Sequence, residues 1–180
     1  MKKLSLVVGI LLIVAMSASA QMPKPFTLYA DAGLTMPNGD FGDAYKAGFH
    51  VGVGMGFSIA PNFQVIPNIE YHSLGLDASG LDGGDMSVLM FGANSRMNLG
   101  AGPMPMKPFL LGGVGFAHGS VDAIKMLATE VSPDASTTDF YWNLGAGLQF
   151  NALFVQARYV SIATEGASTN YIPVTVGIKF

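Results

Sequence analysis

The sequence predicts an all-β fold, an eight-stranded antiparallel up-and-down transmembrane β-barrel, on three observations. Apolar residues alternate with small or polar ones in segment after segment. The plainest is "GFHVGVGMGFSIA" (48–60), with Phe49, Val51, Val53, Met55, Phe57 and Ile59 set against Gly48, His50, Gly52, Gly54, Gly56 and Ser58. Strict alternation gives a strand two unlike faces. Most of these segments approach the ~9–11 residues of a tilted membrane strand, against ~5–6 for a soluble one. The connections also alternate long and short, which gathers loops at one end and turns at the other.

The first strand is "FTLYADAGL" (26–34), with Phe26, Leu28, Ala30, Ala32 and Leu34 on one face. After "TMPNGDFGDAYKA" comes the 48–60 strand, then the short "APNF" and the third strand, "QVIPNIEYHS" (64–73). There Val65, Pro67, Ile69 and Tyr71 oppose Asn68, Glu70 and His72. The fourth, "SVLMFGANSRMNL" (87–99), sets Leu89, Phe91, Ala93, Met97 and Leu99 against Asn94, Arg96 and Asn98. In the fifth, "KPFLLGGVGFAHGS" (107–120), Leu110, Val114 and Phe116 share a face. The sixth, "DFYWNLGAGLQF" (139–150), puts Phe140, Trp142, Leu144, Ala146, Leu148 and Phe150 opposite Tyr141, Asn143, Gly145, Gly147 and Gln149. The seventh is "FVQARYV" (154–160), with Gln156 and Arg158 on its polar face, and the last is "YIPVTVGIKF" (171–180). Mid-strand Pro67 and Pro173 predict bulges or weakly paired positions.

Residues 1–20 are expected to be a cleavable signal peptide, leaving 21–180 as the barrel domain. Lys2 and Lys3 precede the apolar run Leu4–Met16, and "ASA" at 18–20 suits signal peptidase. The run is shorter than the ~20 residues that span a bilayer as a helix. Without Lys2 and Lys3, seven basic residues face twelve acidic ones, a net −5, which argues against nucleic acid as a partner. There is no cysteine, so no disulfide supports the fold. Asp40, Asp43, Asp77, Asp82, Asp85, Asp122, Glu130, Asp134 and Glu165 all lie in the long connections, and the short turns hold no acidic residue.

The minor face decides what the apolar face meets. A soluble lipocalin-like barrel would carry Lys and Glu over its water-facing side. Here that face is rich in glycine with Asn, Gln, Thr and few charges. Half of the chain is hydrophobic, more than the core of an eight-stranded barrel holds, because that interior is only wide enough for side chains to fill it. The apolar face therefore meets lipid. Phe26, Phe49, Phe57, Tyr71, Phe116, Phe140, Phe150, Tyr159 and Phe180 tend toward strand ends, where interfacial girdles sit.

With a signal peptide, eight alternating strands and a closing "IPVTVGIKF", the chain resembles the small eight-stranded bacterial outer-membrane β-barrel proteins, OmpA/OmpX-like. The resemblance implies a bacterial outer-membrane location. It also implies that Ile172, Val174, Val176, Ile178 and Phe180 form the C-terminal signal read by the barrel-assembly machinery.

Asp31, His50, Glu70, His72, Arg96, Arg158 and Lys179 are the candidate lumenal polar network, with Asn68, Asn94, Asn98, Asn143 and Gln156. Glu70 can pair with Arg96 on the next strand or with Arg158 across the lumen. Such a pair either plugs a closed barrel or gates a narrow path, and eight strands favour the plug. His50 and His72 lack a third ligand at useful spacing, so no metal or other cofactor is expected. "HGS" (118–120) resembles the His-x-Ser of outer-membrane lipid A deacylases, with His118 as base, Ser120 as nucleophile and Glu130 as orienting acid. The Asn-Ala-Gly that follows the serine in that family is here "VDA". In 121–138, Val121, Ile124 and Leu127 or Ala128 fall at helical spacing, so a short helix or lid is weighed against a surface loop that contacts lipopolysaccharide or partners. The chain is expected to be a non-enzymatic barrel with a polar, mostly closed lumen, acting structurally or through its loops. A narrow pore for small solutes is the first alternative, a lipid A-modifying hydrolase the second. The expected partners are outer-membrane lipid and lipopolysaccharide, the assembly machinery, and a surface ligand.

Overall fold

A computed structural model describes residues 26–76, 85–100, 105–122, 124–126, 129–132, 135–164 and 167–180. The proposed signal peptide lies outside them. The described residues form ten strands: β1 (Thr27–Asn38), β2 (Gly48–Ala60), β3 (Phe63–Leu74), β4 (Met86–Asn98), β5 (Lys107–Val121), β6 (Ile124–Met126), β7 (Thr129–Ser132), β8 (Ala135–Phe150), β9 (Leu153–Thr164) and β10 (Ala167–Lys179). Eight close a barrel in the order β1-β10-β9-β8-β5-β4-β3-β2, while β6 and β7 form a separate two-stranded sheet. All barrel pairings are antiparallel, and β1 closes against β10 from Tyr29↔Lys179 to Asn38↔Asn170. Phe180 completes the seam, its N–H donating to Leu28 O at 2.9 Å.

The sequence alternation becomes the barrel's two faces. In β2, Phe49, Val51, Val53, Met55 and Phe57 point outward and are 37–59% exposed, while His50 is fully buried. The fifth strand keeps the same parity, with Leu110, Val114 and Phe116 outward and Phe109, Leu111 and Ala117 inward. Phe91, Phe116 and Phe140 form one stretch of the loop-end aromatic girdle, with ring centroids 6.0 and 6.3 Å apart.

Several strands run further toward the loop end than the apolar periodicity indicates. β1 continues through Thr35–Asn38 and β9 through Ser161–Thr164, while β8 starts at Ala135. These extensions are largely polar, so hydropathy marks the edge of the apolar belt while the ladder continues to where its partners end. The helix or lid considered in 121–138 is replaced by a hairpin: Lys125 pairs with Glu130 and Met126 with Thr129. Below it, β5 and β8 stay paired up to Val121↔Ala135. A continuing ladder outweighs three apolar residues at helical spacing, because a short helix has to be nucleated from nothing.

Neither mid-strand proline makes a bulge. The β2–β3 register is unchanged on either side of Pro67, but the ladder skips Ile66 and Pro67 between Gly54↔Asn68 and Phe57↔Val65. The β9–β10 ladder likewise skips Ile172 and Pro173 between Tyr171↔Val160 and Val174↔Ala157. A residue without an N–H is accommodated by omitting pairs on one side.

The first long connection covers the loop-end mouth. Gly39 turns the chain at φ 62° into the short helix α1 (Asp40–Ala44). Phe41 and Tyr45, their rings 4.8 Å apart, pack on the lumen's upper cluster. Lys46 N–H donates to Gly75 O at 2.8 Å, tying this segment to the end of β3. Burial pushes the Tyr45 phenol above its ordinary pKa, and the nearby Asp85 carboxylate adds to the shift.

Candidate functional site

The lumen is layered. Toward the loop end Leu74, Val88, Met90, Tyr141, Val160 and Tyr171 form an apolar cluster, and toward the turn end Tyr29, Ile66, Phe109, Leu111 and Phe154 form another. Between them lies a polar layer built on the inward positions of β1, β2, β3, β4, β8, β9 and β10.

Its centre is an ion pair. Arg158 donates from Nη1 to Glu70 Oε1 at 2.8 Å and from Nη2 to Oε2 at 2.6 Å, and both side chains are at most 4% exposed. This two-pronged geometry is the strong form of the interaction. Asn68 Nδ2 adds a third bond to Glu70 Oε1 at 2.8 Å, and Asn143 Nδ2 bonds Asn94 Oδ1 at 2.9 Å in the same layer. Asp31 approaches across Gly52, where an added Cβ would lie 2.7 Å from Asp31 Oδ1 and 3.0 Å from Glu70 Cγ. Any larger residue at Gly52 would drive the two carboxylates aside, which explains a glycine there.

The two histidines sit beside this pair. Their rings stack at 5.0 Å. Thr35 Oγ1 bonds His50 Nδ1 at 3.1 Å and His72 Nδ1 at 2.9 Å, and His50 Nε2 reaches Thr175 Oγ1 at 3.0 Å. One hydroxyl has one proton, so Thr35 donates to one Nδ1 and accepts from the other; two neutral rings here hold opposite tautomers. His72 Nε2 lies 3.4 Å from Glu70 Oε2, outside hydrogen-bond geometry. Among the described residues no group of three or more His, Cys, Asp or Glu is arranged to hold a metal ion.

The candidate network therefore divides. Asp31, His50, Glu70, His72 and Arg158 meet in the central layer. Arg96 and Lys179 do not join them: Arg96 bonds Gln149 Oε1 at 2.6 Å and Asn98 Oδ1 at 3.3 Å, and its guanidinium sits 3.5 Å over the Phe109 ring. Of the two partners open to Glu70, the structure takes Arg158. Lys179 lies at the turn end, opposite Tyr29. Thr35 and Thr175 were missed from the sequence. Strict parity on β10 points Thr175 inward, between Val174 and Val176; Thr35 falls just beyond the apolar run that marks the first strand.

His118 and Ser120 share the outward parity of Phe116 at the loop end of β5. His118 Nδ1 bonds Thr138 Oγ1 at 2.8 Å, and the Glu130 side chain is outside the described residues. Asp139, cross-strand partner of Ala117, has the opposite parity and faces the lumen side. Ile172, Val174, Val176 and Ile178 share the outward face of β10.

Comparison with known proteins matches residues 7–180 to the outer membrane protein beta-barrel domain family. No curated protein sequence matches the chain. Among solved structures, neisserial surface protein A is similar over 87% of this chain and 96% of its own, with 18% identity and a TM-score of 0.66. The attachment invasion locus protein Ail of Yersinia pestis, in complex with the heparin analogue sucrose octasulfate, covers 87% and 100%, with 19% identity and a TM-score of 0.57. The outer membrane enzyme PagL covers 84% and 98%, with 18% identity and a TM-score of 0.50. At these identities the likeness is one of fold.

Proposed function

The chain belongs to the outer membrane protein beta-barrel domain family, a bacterial outer-membrane barrel, and from that premise we propose that it is a closed, non-enzymatic barrel acting through its loop end. The observation that carries this reading is the occlusion of the lumen. Two apolar clusters flank a layer locked by the Glu70–Arg158 pair, and the cavity beside that layer is about 30 Å³, enough for about two water molecules. Reconstitution into planar bilayers is expected to give no sustained open level above the bare membrane. A stable ohmic step in every insertion would overturn closure and favour the pore.

A lipid A-modifying activity has less support. Among the described residues His118 makes its bond to a threonine rather than to a carboxylate, whereas the triad chemistry calls for an acid that orients the base. On the proposed reading the partners are membrane lipid and lipopolysaccharide, the assembly machinery acting on Ile172, Val174, Val176, Ile178 and Phe180, and a surface ligand at the loops. The structural neighbour Ail is named with a heparin analogue; here the long connections carry carboxylates with only Lys46 and Lys125 among them, a poor match for a sulfated polyanion.

A further inference from the structure

We propose that the turn-end mouth of the lumen is an anion-binding vestibule in which Arg96, Lys107 and Lys179 take a phosphate group. The three side chains come from β4, β5 and β10 and share the inward parity of those strands. Neutral polar groups join them into a partial ring. Gln149 is the cross-strand partner of Lys107 and also accepts Arg96 Nη2 at 2.6 Å. Tyr29 is the cross-strand partner of Lys179; its ring centre is 5.8 Å from the Arg96 guanidinium, and its hydroxyl donates to Gln64 Oε1 at 2.6 Å.

Among the described residues no side-chain carboxylate stands in this ring, and the carboxylate of the last residue, Phe180, beside Lys179, offsets one of its three positive charges. Among the described residues neither Lys107 nor Lys179 has a side-chain hydrogen bond or ion pair, and the charges of Arg96 and Lys107 both act on Lys179. The inward carboxylates nearest the mouth, Asp31 and Glu70, lie a layer deeper, and Glu70 is already held by Arg158. The turns at 61–62, 99–106 and 151–152 contain no charged residue, whereas the loop end is acidic. A barrel polarised this way repels anions at one end and draws them to the other, and low-dielectric walls such as Phe109 and Phe154 focus the field.

The occupant is held at the mouth. Phe109, Leu111, Phe154, Tyr29 and Ile66 fill the lumen directly behind the cations, so the feature is a site and not a path. Three cations from three strands suit a group with several charged acceptor oxygens, with the lysines serving as point charges and Arg96 as a fixed fork. Short turns face the periplasm in bacterial barrels, so the phosphate is either a phospholipid headgroup of that leaflet or a soluble phosphate. The proposal uses the barrel reading for orientation alone. A correctly folded barrel that fails the test below refutes the vestibule and leaves the barrel intact.

The test uses the mature protein in phosphatidylcholine nanodiscs, read by amide NMR. Inorganic phosphate, against chloride at equal ionic strength, is expected to give saturable shifts confined to the amides around Arg96, Lys107, Gln149 and Lys179. Lys107→Gln with Lys179→Gln weakens this by at least about tenfold, the loss expected for two charge-assisted contacts; each single variant serves if the double fails to fold. In a second arm, nanodiscs containing phosphatidylglycerol shift the same amides without added phosphate in the native protein and not in the variant. Response to phosphate alone identifies a soluble anion, and response to the lipid identifies a headgroup. Absence of confined shifts in both arms, or equal binding by the variant, overturns the proposal.

Discussion

Arg158→Met is expected to be the most damaging single substitution in the lumen, costing about 3–5 kcal/mol, because it leaves a buried charge without its partner. The guanidinium serves two carboxyl groups rather than one. Glu70 loses both of its guanidinium bonds, and Asp31, which meets it across Gly52, loses the Arg158 charge that acts on it. Glu70→Gln leaves a different remainder. Arg158 then still faces Asp31, so this substitution is expected to cost clearly less. Replacing both members with Met and Leu is expected to recover much of the loss, since apolar isosteres of a buried pair are often neutral or stabilising. Urea unfolding in phospholipid vesicles, followed by Trp142 fluorescence, gives all three values on one scale. Equal costs for Arg158→Met and Glu70→Gln would show that Asp31 is no part of the layer.

Val176→Arg is the second large effect, about 2–4 kcal/mol, because a cation on the lipid face is most costly near mid-depth and its cost falls toward the interfaces. Val176 is 57% exposed on the outward face, its cross-strand partners are Ala32 and Val155, and it adjoins Gly177, the cross-strand partner of Asp31 in the central layer. Thr138→Arg supplies the comparison. Thr138 is also outward but beyond the aromatic girdle at the loop end, so the same charge is expected to cost about 0–1 kcal/mol there. In a barrel whose outer face met water, both substitutions would be nearly free. Matching unfolding midpoints for the two variants would therefore remove the argument for a lipid-facing belt.

The barrel was legible because a period of two leaves a direct trace in the sequence, and because the glycine-rich face excludes a water-facing surface. Where strands end was less legible. Residues such as Thr35 and Ala135–Thr138 are held in the ladder by neighbours across the sheet, and no local pattern marks them. The central pair was half legible: parity turns Glu70, Arg96 and Arg158 inward, but whether a residue meets another across the lumen depends on its height along the barrel. Arg96 is the cross-strand partner of Gln64, six positions from Glu70 on β3, and this alone takes it out of reach. The apolar clusters above and below the layer were not legible, since Val88, Met90, Phe109 and Phe154 read as ordinary members of mixed strands until closure brings them together. The hairpin at 124–132 followed from the same cause as the long strand ends, a ladder already running on both sides.

The most direct test of the central claim, that the apolar face of this barrel meets lipid, uses its single tryptophan. Trp142 is outward-facing, 43% exposed, and one step inside the girdle residue Phe140. In vesicles of brominated phosphatidylcholine its fluorescence is expected to be strongly quenched relative to unbrominated vesicles, with little further loss on adding iodide. Fluorescence unchanged by brominated lipid and quenched by iodide would put Trp142 in water and contradict the account.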